Sequence, residues 1–397
     1  MKRLICFVLL LSTLFSTLFS AAAYAFSVPV APGLVIETLS PLSGQDIPLD
    51  APSAILMEKE TGTVLYEKEA HSRLCPASVT KIMTMLLIVE AIEDGTLRTD
   101  DIVTVSARAA SFGGSCVYLE TGEQMSVHDM LKCIAVVSAN DCAVAMAEQL
   151  CGTEEKFVRR MNERAKELGM NETHFTNCTG LFDDGDHFSS AYDVALMSRE
   201  LIKHESIKDY TTIWMDSIRG GAFELSSTNK LVYWYPGCTG LKTGYTSGAK
   251  YCLAATAERE GIEFIAVVMH CDDAEKRNSD AERLLDYGFL NYKLCPLTEA
   301  VTLPTVPVTL GEAPSVALVC SGTGSALVPR SSAAPEYTLS LPKSLPAPVE
   351  KGQRVGTLTV SASGEELARI DVLAAGSVGR LRFGGLVRLL AGTLIGL

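Results

Sequence analysis

From residue 54 to residue 203 short alternating stretches give way to runs with apolar side chains every three or four positions, and beyond residue 239 the alternation returns. Ala54-Ile-Leu-Met-Glu58 and Val64-Leu-Tyr-Glu67 flank Glu60-Thr-Gly-Thr63, which predicts a β-hairpin turning at Gly62. Pro76 ends extended structure and opens a helix through Glu90, with Ile82, Leu86 and Val89 on one face. Ser126-Val-His-Asp129 reads as a capping box ahead of the apolar run from Met130 to Val137. Helical spacing resumes from Asp141 to Leu150 before Gly152, and from Glu154 to Leu168 before Gly169. Ser190-Ala-Tyr-Asp193 caps another helix to about Lys203. Strands are predicted at Thr239–Thr246, Tyr251–Ala257 and Phe264–His270, then a helix from Ala274 to Phe289. Strands at both ends with helices between them predict an α/β (α+β) domain, in which one antiparallel sheet is closed by the first and last segments around a helical insert.

The pattern changes after Asn291. Prolines from Pro296 to Pro348 punctuate short Val/Leu/Thr-rich runs, and Pro348-Val-Glu-Lys-Gly-Gln-Arg-Val-Gly356 reads as a turn between strands. A small all-β domain is therefore predicted over 292–374. In the last segment, 375–397, Phe383, Leu386, Val387, Leu390, Leu394 and Leu397 share one helical face, with Arg380, Arg382 and Arg388 outside it. A basic amphipathic helix lying in the interface of an anionic membrane fits this better than a span.

Composition sets the compartment and excludes several functions. Lys2-Arg3, an apolar stretch from Leu4 to about Ser20 and Ala21-Ala-Ala-Tyr-Ala25 have the charged, apolar and small-residue order of a secretory signal, so residues 1–25 read as a leader and 26–291 as the first folded domain. With 47 % hydrophobic and 20 % charged residues the chain is globular, and a net charge of −13 with no basic block in its body argues against nucleic acid as a partner. The twelve cysteines contain no C-x-x-C pair, and Cys133, Cys142 and Cys252 sit in apolar patterns where a thiol packs as a small hydrophobe. The six histidines show no zinc-type spacing with them, and neither metal nor organic cofactor is implied.

Three short motifs carry the candidate chemistry. Ser78 and Lys81 lie one helical turn apart in Cys75-Pro-Ala-Ser-Val-Thr-Lys81, so hydroxyl and amine share a face. Burial lowers a lysine's proton affinity until its neutral amine can take the proton of a serine that is otherwise a poor nucleophile. By chance S-x-x-K occurs roughly once in a chain of this length, so the motif alone is weak. Ser138-Ala-Asn140 is weak as well, because Ser227-Thr-Asn229 matches the same pattern. Ser138 is favoured by its place at a break between two apolar helical stretches, where its hydroxyl can relay a proton; an asparagine at 140 can hydrogen-bond a substrate amide. Lys242-Thr-Gly244, expected roughly once in ten chains, sits on a strand where glycine admits a substrate backbone and Lys242 and Thr243 can hold a carboxylate.

The segments Pro76–Thr84, Ser138–Glu148, Met161–Met170, Thr173–Asn177 and Leu241-Lys-Thr-Gly-Tyr-Thr246 closely resemble the low-molecular-mass penicillin-binding proteins, in particular the serine D-alanyl-D-alanine carboxypeptidases, over about residues 35 to 290. A weaker resemblance continues through the β domain and the tail. It implies a serine β-lactamase/transpeptidase-like fold and a substrate that is a peptidoglycan stem peptide ending in D-Ala-D-Ala, with β-lactam antibiotics as inhibitors. The enzyme is implied to work on the extracytoplasmic face of the bacterial cytoplasmic membrane or in the wall, with the tail on the membrane. Carried onto this chain, Ser78 is the nucleophile, Lys81 its base and Ser138 the proton relay, assisted by Asn140 and Lys242. Lys242 and Thr243 hold the terminal carboxylate, Arg277 or Lys276 helps to neutralise it, and the N–H groups of Ser78 and Tyr245, beside Gly244, form the oxyanion hole. Two alternatives share the motifs. A serine β-lactamase needs a carboxylate for deacylation, which Glu167-Leu-Gly-Met-Asn171 offers by spacing; a non-catalytic sensor would keep the fold without turnover.

Overall fold

The computed structural model describes residues 42–43, 47–182 and 185–385. The leader read at 1–25 and the part of the amphipathic tail beyond 385 lie outside the described residues.

Six strands form the main sheet: β1 (Leu42–Ser43), β2 (Ser53–Glu58), β3 (Val64–Lys68), β4 (Cys238–Thr246), β5 (Lys250–Arg259) and β6 (Ile262–Cys271), in the order β1-β3-β2-β6-β5-β4. β1 runs parallel to β3 and every other pair is antiparallel. The first hairpin thus closes against the last strands, as the alternation predicts. β6 reads as a continuous apolar run because both of its faces are covered. Ile265, Val267 and Met269 enter a large core beneath the helical insert, while Phe264, Ala266 and Val268 enter a second core on the opposite face.

The insert contributes α1 (Lys81–Glu93), α2 (Val127–Val136), α3 (Asn140–Cys151), α4 (Glu154–Glu167) and α5 (Ala191–Lys203), and α6 (Ala274–Asn291) covers the second core. Their starts are chemically marked. Ser126, Thr153, Ser190 and Asp273 each accept the N–H three residues on, at 3.1, 3.3, 3.1 and 2.8 Å, and each such cap contributes about 1 kcal/mol. α1 differs from the amphipathic helix expected. A 3₁₀ turn over Ala77–Thr80 precedes it, and its residues are buried on every side from Lys81 to Val89, as in a central helix. α6 sets aside the choice between Lys276 and Arg277: Arg277 is buried, whereas Lys276 faces Asp50 and Asp273 on the surface.

From Tyr292 to Ala374 every element is a strand. The principal sheet orders Leu318–Cys320, Glu365–Ala374, Arg354–Ala362 and Glu336–Ser340, and Tyr292–Pro296 pairs with Ser325–Pro329. This part is fastened to the first domain by Arg330, whose Nε donates to Phe289 O at 3.1 Å and whose guanidinium pairs with Glu260 at 3.1 Å.

Candidate active site

The start of α1, the α2–α3 junction and strand β4 converge on one cleft. Ser78 lies in the 3₁₀ turn, where Ala77 takes a φ of 48°. The turn is held from two sides by glycines whose hydrogen atoms leave the needed room. A Cβ on Gly180 would lie 1.8 Å from Ala77 O, and one on Gly244 would lie 2.8 Å from Pro76 O and 3.1 Å from Ser78 N. The close approach of Gly244 brings the backbone of β4 alongside the Ser78 amide, the arrangement two converging N–H donors require.

Lys81 is fully buried, and its Nζ donates to Ser78 Oγ at 2.9 Å and to Thr179 O at 2.9 Å. Burial lowers its pKa from 10.5 to about 7, against the smaller opposing influence of Cys178, Cys116 and Asp141. The Thr179 carbonyl is itself fixed. Asn177 Oδ1 accepts from Thr179 N at 3.2 Å and Gly180 N at 2.7 Å, and Thr84 Oγ1 donates to Cys178 O at 2.7 Å. His187 braces the same corner, with Nδ1 accepting from Thr176 N at 3.1 Å and Nε2 lying 2.8 Å from Thr80 Oγ1.

Ser138 sits between α2 and α3 at a φ of 64°, a conformation that costs about 1–3 kcal/mol in a residue with a Cβ. Its Oγ and the Asn140 Oδ1 are buried and have no hydrogen-bond partner. Unpaired buried polar atoms are rare, and two of them at one cleft mark a place where a ligand supplies the partners. Asn140 Nδ2 donates to Gly113 O at 2.8 Å and its N–H to Ser115 O at 2.7 Å. Asp141 completes this wall: its buried carboxylate accepts from Val117 N and Leu119 N, each at 3.1 Å, and pins the 113–119 loop to α3.

On β4, Lys242 is buried and its pKa is driven well down, first by burial and then by the charges of Lys81 and Arg277. Thr243 Oγ1 donates to Thr228 Oγ1 at 2.7 Å. Tyr245 is exposed and stacks on Tyr251 at 4.4 Å between centroids. Arg277 donates twice to Asn278 Oδ1, at 3.1 and 3.0 Å, and burial lowers its pKa too. The second S-x-N match, Ser227-Thr-Asn229, is a brace: Asn229 Nδ2 donates to Gly240 O at 2.8 Å, and Ser227 Oγ accepts from Asn229 N at 3.2 Å.

All the residues singled out in the sequence, Ser78, Lys81, Ser138, Asn140, Lys242, Thr243, Gly244 and Tyr245, lie on these three converging segments. The supports Asn177, Asp141 and Thr228 were not anticipated. Asp141 directly follows a motif and Thr228 sits inside the competing one, which was the only local signal for either. Glu167 is remote. Its side chain is 64 % exposed and pairs with Arg164, which also pairs with Glu90, nine residues or about 14 Å along α1 from Lys81. It has no access to an acyl group on Ser78.

Comparison with known proteins identifies the family. Residues 41–273 match the family described as D-alanyl-D-alanine carboxypeptidase, peptidase S11, and residues 297–380 match the penicillin-binding protein 5 C-terminal domain. The chain is 44 % identical over 331 residues to the D-alanyl-D-alanine carboxypeptidase DacF of Bacillus subtilis, covering 82 % of this chain and 85 % of that one. Penicillin-binding protein 5 of Haemophilus influenzae superposes with a TM-score of 0.72 at 28 % identity, covering 86 % of this chain and all of the other. Penicillin-binding protein D2 of Listeria monocytogenes, solved in an ampicillin-bound form, superposes with a TM-score of 0.56 at 35 % identity over 61 % of this chain and 98 % of its own.

Proposed function

The chain belongs to the D-alanyl-D-alanine carboxypeptidase family of penicillin-binding proteins, and from that premise we propose how its residues divide the reaction. Ser78 Oγ attacks the carbonyl carbon between the two terminal D-alanines while Lys81 Nζ takes its proton. The developing oxyanion accepts hydrogen bonds from the N–H groups of Ser78 and Tyr245, an assignment supported by the approach of Gly244 to Ser78 N. Ser138 Oγ passes a proton to the departing amine, the C–N bond breaks, and D-alanine leaves. Water then attacks the ester with Lys81 again as base, restoring the serine hydroxyl. Lys242, Thr243 and Arg277 hold the terminal carboxylate, and Asn140 orients the peptide amide.

One observation carries this reading: a fully buried amine with a pKa of about 7 lies 2.9 Å from a serine oxygen. Mass spectrometry with a peptide ending in Lys-D-Ala-D-Ala tests it. Release of one alanine and a long-lived penicilloyl adduct on Ser78, both lost in Ser78→Ala, are expected. Rapid penicillin turnover with an intact peptide would refute it in favour of a β-lactamase, and neither adduct nor cleavage would leave a binding module.

The remaining assignments concern location. We read residues 1–25 as a leader removed on export, 26–291 as the catalytic domain, 292–374 as the β domain, and 375–397 as a helix that rests the enzyme on the outer face of the cytoplasmic membrane. The arginines at 380, 382 and 388 beside an apolar face support the last of these.

A further inference from the structure

One of the six histidines is locked behind the nucleophile by contacts that also fix where its proton sits. His187 is buried, and two bridges hold the chain beside it: Phe188 exchanges hydrogen bonds with His174 at 3.1 and 2.9 Å, and Ser189 with Leu74 at 2.9 and 2.8 Å. Leu74 lies four residues before Ser78. The ring packs on Phe175, 5.8 Å between centroids. The Thr176 N–H points at Nδ1 from 3.1 Å, and because a main-chain N–H can only donate, Nδ1 must accept. Asn177 Nδ2 lies 3.4 Å from the same nitrogen. The orientation of that amide is fixed, since its Oδ1 takes the Thr179 and Gly180 N–H groups at 3.2 and 2.7 Å. Its NH2 therefore donates to Nδ1 as well. The ring proton sits on Nε2, which gives it to Thr80 Oγ1 at 2.8 Å.

Thr80 is buried at the end of the 3₁₀ turn, between Ser78 and Lys81, and Asn177 fixes the Thr179 carbonyl on which Lys81 Nζ rests. One imidazole thus bridges the two supports that set the 2.9 Å between Ser78 Oγ and Lys81 Nζ. We propose that His187, as the neutral ring protonated at Nε2, is a positioning residue for acylation: its donation to Thr80 keeps the turn carrying Ser78 in register with the carbonyl that holds Lys81. The inference rests on the roles given above to Ser78 and Lys81. His187 acts through Thr80 and Asn177, and no proton of the reaction passes through it. The neutral form is what the place requires, because an imidazolium would turn a second N–H against the Thr176 and Asn177 donors. Removing the ring deprives the Thr80 hydroxyl and the Thr176 N–H of these partners in a buried corner, and a misplacement of about 1 Å in a reacting pair costs about a hundredfold in rate.

Acylation of the purified full chain by benzylpenicillin is followed by stopped flow and resolved into the dissociation constant of the first complex and the acylation rate constant. Glutamine at 187 places its NH2 near the position of Nε2, asparagine places its carbonyl oxygen near that of Nδ1, and alanine supplies neither. His187→Ala and His187→Asn are expected to lower the acylation rate constant roughly ten- to a hundredfold with the dissociation constant within about twofold, and His187→Gln to stay within about threefold of wild type. Unchanged rate constants in all three variants, losses of equal size in all three, or rescue by asparagine and not by glutamine would each overturn the inference. Ring nitrogen NMR of the unaltered protein at neutral pH needs no variant to fold. The His187 ring, identified by its contacts to Phe175, is expected to carry its proton on Nε2 with Nδ1 bare, and the opposite tautomer or an imidazolium would overturn the inference. A wild-type chain that forms no penicilloyl adduct would overturn the roles of Ser78 and Lys81 themselves, whereas normal wild-type acylation that is indifferent to residue 187 would overturn this inference alone.

Discussion

If Lys81 is the base, the rate of acylation must follow its ionisation. A lysine at the ordinary pKa of 10.5 is neutral in roughly one molecule in three thousand at pH 7, whereas one at about 7 is neutral in half. Burial therefore raises the supply of base roughly 1600-fold at neutral pH. The assay is the second-order rate of Ser78 acylation by benzylpenicillin, measured from pH 5 to 10. The neutral form is the active one, so the rate should fall tenfold per unit below pH 7 and level off above it. The groups facing Lys81 are Cys178, Cys116, Asp141 and, across the cleft, Lys242. None of them supplies a nearby carboxylate in ion-pair contact that would return the limb to pH 10. A profile flat from pH 5 to 9, or one rising only near pH 10, would refute the assignment of Lys81 as base.

Four further outcomes follow from the same geometry. Asp141→Asn removes a negative charge that raises the Lys81 pKa, so the acid limb should move to lower pH; the altered hydrogen bonds to the 113–119 loop should cost about 1–3 kcal/mol in thermal melts. Gly244→Ala would push backbone at Pro76 and Ser78, and a displacement approaching 1 Å should slow acylation about a hundredfold in a stopped-flow penicillin assay. Glu167→Ala should leave the lifetime of the penicilloyl enzyme within about twofold of wild type, since its exposed side chain at the end of α4 pairs with Arg164, whose other partner Glu90 is about 14 Å along α1 from Lys81. Lys81→Met should be more stable than wild type. The folded-state pKa of Lys81 is depressed, so the penalty, about 5 kcal/mol at most, is full below pH 7 and fades as pH rises toward 10.5; the gap between the two proteins in urea should narrow from pH 7 to 9.

What could be read from the sequence was local, and what could not was long-range. Helix starts at Ser126, Thr153 and Ser190 are legible because a cap is an interaction over three residues, and strand β6 because a short continuous apolar run suits a strand covered on both faces. The candidate serine and lysine are legible for the same reason, since one turn of chain places them together. The burial of α1 on all sides was not, because that depends on which helices surround it. Nor was the meaning of Ser227-Thr-Asn229, identical in pattern to Ser138-Ala-Asn140. Ser138 stands apart through its strained φ and its unpaired oxygen; Asn229 is spent on Gly240 O across eleven residues. Asn177 supports Lys81 only through a carbonyl 98 residues away from that lysine.

The cleft gathers Lys81, Lys242 and Arg277, each with a lowered proton affinity because burial disfavours its charge. Lys242 in particular is opposed by the other two. Asp141 is within electrostatic reach of Lys81, yet its oxygens are committed to the 113–119 loop and cannot pair with the cations. If a substrate carboxylate is held at Lys242 and Thr243 as proposed, it supplies the missing negative charge, and binding relieves repulsion among these cations. That charge would also favour the charged form of Lys242, whose pKa burial lowers, while Arg277 keeps its guanidinium charge throughout. Lys81, held by Thr179 O, would retain the neutral amine that the proposed mechanism requires. One anion thus sharpens the division between two buried lysines, the one a base and the other a cation, and a neutral amide in place of the terminal carboxylate should lose acylation rate as well as affinity.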